Sequence, residues 1–83
     1  MKIEDLKAYL IQNQVPEEMY VIQELGAGEA HGIGFLDGAW STYFSERGGY
    51  RNRRSFATEE EAVDAFLVKM REVVREMLGL ELP

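Results

Sequence analysis

The sequence is 83 residues long, enough for one small domain (1–83) with one core, and its 46% hydrophobic, 29% charged composition excludes disordered, collagen-like and low-complexity chains. With no cysteine and one histidine it offers no disulfide, thiolate nucleophile or multi-histidine metal site, and no apolar run exceeds four residues, so neither a transmembrane helix nor a secretory signal is expected. The net charge of −6 is uneven: Arg47, Arg51, Arg53 and Arg54 put +4 on the acid-free stretch 47–54 and leave −10 on the rest, a balance expected of a cytoplasmic protein drawn to basic proteins and repelled by anionic lipid.

Residues 2–13 read as a short helix. Ile3, Leu6 and Leu10 fall on one face, with Tyr9 and Ile11 widening it. Glu4 and Asp5 suit the positive end of the helix dipole. Pro16 biases Val15 away from helix, so an end near Gln14 is expected. Residues 19–25 are rich in β-formers and read as a first strand, followed by a glycine-rich turn over 26–30.

Residues 31–36 and 39–45 form the clearest pattern. Asp37-Gly38 between them is a preferred pair for a two-residue type I′ turn. That turn sets Leu36 opposite Ala39, Phe35 opposite Trp40, Ile33 opposite Thr42 and His31 opposite Phe44. One face then carries Ile33, Phe35, Trp40, Thr42 and Phe44, which must be covered. The other carries Gly32, Gly34, Leu36, Ala39, Ser41 and an exposed Tyr43. Residues 45–55 read as a polar loop or frayed strand end, with Phe56 closing a short fourth strand.

Residues 59–78 read as a long helix. Thr58 and Glu61 make a capping box, and Gly79 suits the stop. Two apolar rows run along it, wider than one sheet face needs. The surplus covers the first helix or forms a dimer seam. The expected class is therefore α+β: an N-terminal helix, a three- to four-stranded antiparallel meander and a long C-terminal helix, with both helices on the aromatic sheet face.

Few residues suggest catalysis. Gly26-Ala27-Gly28-Glu29-Ala30-His31 begins like a dinucleotide fingerprint but lacks the third glycine and a following βαβ unit. His31 has no nucleophile at a telling spacing, and Glu17/Glu18, Glu59 to Glu61 and Glu72/Glu76 read as caps and solvated faces. No enzyme activity, metal or cofactor is expected. The cluster Arg47 to Arg54 with Tyr50 is the candidate for nucleic acid, by stacking and phosphate contact. The triple glutamate opening the last helix has the wrong sign for that partner. Tyr43 with Glu46, Arg47 and Tyr50 at its rim has the chemistry of a protein interface; a solvated polar sheet face is the competing reading.

Three segments together carry a resemblance. They are the first helix running into Val15-Pro16-Glu17-Glu18-Met19-Tyr20-Val21-Ile22, the stretch Gly38-Ala39-Trp40-Ser41-Thr42-Tyr43-Phe44-Ser45-Glu46-Arg47-Gly48, and Phe56-Ala57-Thr58-Glu59-Glu60-Glu61-Ala62 leading into Phe66. In this order the chain resembles small immunity-like proteins found beside bacterial polymorphic toxins. The resemblance implies a non-enzymatic protein that binds and neutralises a cognate toxin domain in the cytoplasm. On that reading Asp37, Tyr43, Glu46, Arg47, Tyr50 and Arg51 form the partner-binding edge. The alternatives are a nucleic-acid-associated protein using Arg47 to Arg54 and a homodimeric module assembled through the C-terminal helix.

Overall fold

The computed structural model describes residues 1–23 and 28–83. The glycine-rich turn and the end of the first expected strand fall in part on 24–27, outside the described residues. Helix α1 spans Ile3–Gln12, β1 Tyr20–Ile22, β2 Ala30–Leu36, β3 Ala39–Glu46, β4 Gly49–Phe56 and α2 Glu59–Leu78. The strands form one sheet in the order β1-β2-β3-β4. This is the expected α+β arrangement of helix, sheet and helix. Among the described residues no helix is long and apolar enough to cross a membrane.

Helix α1 sinks Leu6 and Leu10 completely. It ends where Gln14 takes a positive φ of 63° and the Val15 amide donates to the Leu10 carbonyl at 3.0 Å. A short 3-10 turn, Glu17–Met19, then leads into β1.

The sheet is mixed, where a wholly antiparallel meander was expected. Strand β1 pairs parallel to β2, with Tyr20 opposite His31 and Ile22 opposite Ile33. Beyond β1, Gln23 continues the pairing in another way. Its backbone N–H donates to the Ile33 carbonyl at 2.8 Å, and its side-chain Oε1 accepts from the Phe35 N–H at 2.7 Å. The amide side chain thus satisfies a backbone donor on the β2 edge.

The β2–β3 hairpin has the expected register, from Leu36 opposite Ala39 to His31 opposite Phe44. Asp37 and Gly38 both have positive φ, 50° and 82°, as a type I′ turn requires. The stretch 45–55 is not a loop. Arg47 and Gly48 form a second two-residue turn with φ of 52° and 77°, and β4 runs for eight residues beyond it. Pairing shifts between Thr42 and Phe44, so Tyr43 faces both Asn52 and Arg53 in a β-bulge, where Asn52 has a φ of 52°.

Both helices lie on the aromatic side. Ala62, Val63, Phe66, Met70 and Val74 of α2 join Leu6 and Leu10 of α1 around Ile33, with Trp40 and Phe56 packed against them. Truncating Leu6, Leu10 or Phe66 to alanine is expected to cost about 2–5 kcal/mol each. Phe35, expected to be covered, stays 51% exposed near the hairpin tip and meets Trp40 edge-on at 5.0 Å. The Ile3 amide donates to Glu59 Oε2 at 2.8 Å and ties the starts of the two helices together. At that start the Thr58 hydroxyl accepts from the Glu61 N–H at 3.2 Å. Gly79 closes α2 in the left-handed region at φ 68°. Met77 and Leu78, part of the surplus apolar surface, remain exposed.

Replacing Thr58 by alanine removes the cap and is expected to lower unfolding free energy by about 1 kcal/mol, measured by urea denaturation.

Candidate functional site

The expected site straddles the sheet: Tyr43 and Tyr50 lie on the face away from the helices, while Glu46 and Arg51 share the face of Phe44. Tyr43 was expected to stand exposed; it is only 4% exposed. The reason is Gly32 across the strand pair. A β-carbon at Gly32 would come within 2.1 Å of the Tyr43 ring, so the missing side chain is what lets the ring lie flat on the backbone. Tyr50 closes over it edge-on, with ring centroids 4.8 Å apart. Ser41 and Ser45 beside it are fully buried. Tyr43 therefore packs the second face and is not available as a contact residue.

The other expected residues fall into two groups. Glu46 and Arg51 are brought together across the β3–β4 turn, where Arg51 Nη1 reaches both carboxylate oxygens at 3.2 Å. Arg47 sits exposed in the turn beside them, and Tyr50 follows at 39% exposure. Asp37 is at the other end of β3, on the order of 25 Å away along the strand. It is occupied by Arg53, whose Nη1 donates to Asp37 Oδ2 at 2.9 Å and whose Nη2 donates to the Leu36 carbonyl at 3.0 Å. The Arg53 guanidinium also lies 5.7 Å from the Tyr50 ring centroid. Asp37 thus belongs to a latch that binds β4 to the β2–β3 turn, and Arg53 links it to the Tyr50 ring.

These pairings bear on the arginine cluster. Arg51 and Arg53 are matched to acids of the same sheet, and Arg54 lies 5.2 Å from the Phe56 ring on the helix side. The cluster is a mixed-charge strip and not a uniform cationic track. As exposed pairs, these contacts contribute only about 0–1 kcal/mol each.

A second grouping joins residues far apart in sequence. His31 on β2, Arg54 on β4 and Lys69 on α2 line a half-open cavity of about 540 Å³ between the sheet and α2. Sequence reasoning placed His31 opposite Phe44 but had no means of bringing Lys69 over it. Only the packing angle of α2 on the sheet does that. The His31 ring lies 5.0 Å from Phe44. Burial pushes its imidazole pKa below the ordinary value, and the Lys69 charge adds to the shift. Tyr20 is displaced the other way: its hydroxyl is buried, and desolvation, with Glu17 adding, raises its pKa. Among the described residues no three His, Asp or Glu side chains group as a metal site would need.

Comparison with known protein families, with curated proteins and with solved structures returns no match to this chain. The functional reading therefore rests on the residues and their geometry.

Two outcomes follow. A methyl group at Gly32 must displace the Tyr43 ring, so Gly32→Ala is expected to cost about 1–3 kcal/mol in a urea titration. Tyr43→Ser, which removes that packed ring, should therefore cost less in the Gly32→Ala variant than in the parent, because the clash goes with the ring. The depressed His31 pKa means that the unfolded chain binds more protons near its own pKa of about 6.5. Stability is therefore expected to fall as pH drops through 6.5 and below. His31→Gln should show a smaller drop in urea midpoint between pH 7.5 and 5.5 than the parent protein.

Proposed function

We propose that the chain is a non-enzymatic protein-binding module of the immunity type, which neutralises a toxin domain in the cytoplasm by engaging it through the β3–β4 hairpin. The observation that carries this reading is β4 itself. It is the last strand of the sheet, exposed along nearly its whole length, on a hairpin closed by a two-residue turn and joined to the β2–β3 turn by Arg53. Its outer edge keeps backbone donors and acceptors open to a partner. Arg47, Tyr50 and the Glu46–Arg51 pair stand at its start, a set of side chains typical of interface anchors and rims. The −6 net charge supports fast encounter with a basic partner. The likeness of the Trp40–Gly48 and Phe56–Ala62 segments to immunity-like proteins points the same way.

The test is a high-salt pull-down with the tagged protein, followed by calorimetric titration against the C-terminal domain of any toxin-like protein it retains. Arg47→Glu and Tyr50→Ala, with fold checked by circular dichroism, are each expected to weaken binding by about tenfold or more, as truncated interface anchors do. Unchanged affinity in both would remove the hairpin as the contact surface. Absence of binding by the parent protein at micromolar concentration would remove the immunity reading. Tyr43→Ala is unsuitable here, because that ring packs the sheet.

A further inference from the structure

We infer that the cavity between the sheet and α2 binds a small organic anion, its anionic head (phosphate or carboxylate) held by Arg54, Lys69 and His31 and its apolar body lying on Phe44 and Phe66. The inference is independent of the hairpin reading, since it concerns the helix-covered side of the sheet.

Four observations carry it. The first is size: about 540 Å³ lies within the range of small-molecule sites, well above what a single water or ion needs. The second is charge. In a protein of net charge −6, no aspartate or glutamate among the described residues lines this cavity, while an arginine, a lysine and a histidine do. An acid-free, cation-bearing recess in an acidic surface concentrates anions locally. The third is the placing of polar groups. Thr42 and Asn52 also line the cavity and add a hydroxyl and an amide to the cationic donors. The bulge at Asn52 brings this about. With two residues of β4 opposite Tyr43, Asn52 and Arg54 line the helix side while Arg53 reaches Tyr50 and Asp37 on the other. Bulges commonly re-aim side chains in this way next to binding sites. The fourth is the apolar wall. Phe44 and Phe66 give a flat body something to pack on, which a bare inorganic ion would not use.

The groups facing one another are few. Lys69 pairs loosely with Glu72 on its own helix at 3.8 Å and both side chains are more than half exposed, so the ammonium can turn inward at little cost. The Arg54 guanidinium rests against Phe56 at the cavity edge. Burial, with Lys69 adding, favours the neutral form of His31. An anion beside it favours the protonated ring, so binding should draw a proton onto His31.

The experiment is a titration of 15N-labelled full-length protein with three probes, followed by amide and His31 ring shifts. The probes are phenyl phosphate, benzoate and neutral benzyl alcohol. A saturable shift centred on His31, Asn52 and Lys69 is expected with phenyl phosphate or benzoate and not with benzyl alcohol. Response to phenyl phosphate alone assigns a phosphate head; response to benzoate as well admits a carboxylate. The double variant R54Q/K69Q changes two exposed side chains and is expected to weaken binding by about tenfold or more. Arg75→Gln, distant on α2, should leave it unchanged. The proposal is overturned if neither anion saturates by about 10 mM, if benzyl alcohol binds as well as the anions, or if the folded double variant binds as tightly as the parent.

Discussion

Side chains alternate along a strand, so a slip of one residue at either two-residue turn would exchange the two faces of the sheet. Asp37-Gly38 and Arg47-Gly48 prevent that slip by holding positive φ at both central positions of each turn. Through the first turn, Ile33 and Trp40 face α2 and Gly32 faces Tyr43. Through the second, Tyr50 meets Tyr43 and Glu46 meets Arg51. The bulge at Asn52 then makes a single deliberate change of phase. It sends Arg54 to the helix side and Arg53 to the other. Core, latch and cavity all follow from where these few backbone angles place the pleat.

The two faces are closed by different physics. The helix side is closed by volume, with large apolar side chains from two helices meeting around Ile33. The other side has no helix and is closed by side chains laid flat on small residues. Tyr43 lies over Gly32 and the Gln23 amide over Gly34, where an added β-carbon would meet Gln23 Oε1 at 2.6 Å. A thin layer of this kind protects the ladder hydrogen bonds without a second core, which suits a chain of 83 residues with little apolar surface to spare.

This division explains what the sequence discloses. The first hairpin was legible because Asp37-Gly38 names its turn and because the covered face alternates with large apolar residues. Helix α2 was legible from its apolar rows, from Thr58 and from Gly79. Strand β4 was not, because an exposed edge strand carries no apolar alternation, and because Arg47 is an unusual residue at positive φ. The burial of Tyr43 was not legible for a related reason. It is decided by an absent side chain eleven residues earlier, which can be read only once the register is combined with the direction in which the ring falls. The parallel entry of β1 left no mark in periodicity, since three residues are too few to show one. For the candidate site, Glu46, Arg47, Tyr50 and Arg51 came out as neighbours because a single turn joins them. Asp37 comes from the other turn and reaches Tyr50 only through Arg53, a link that depends on how two long side chains fold over the sheet.

The segments behind the immunity resemblance have a structural role at almost every position. Trp40 packs against the core, Phe44 meets His31, Arg47-Gly48 make the turn, Thr58 caps α2 and Ala62 is buried under it. Such a motif preserves a hairpin and its join to a helix, and specificity must then come from the residues left exposed on that frame. On the proposed reading, this separates two contributions to binding. The acidic charge lies mostly away from the arginine-bearing hairpin, so it acts at long range on encounter and is weakened by salt. Arg47, Tyr50 and the open edge of β4 act only at contact, where they govern how long a complex lasts. A partner suited to both is basic overall yet presents an acidic or carbonyl-rich patch at the place where it meets β4.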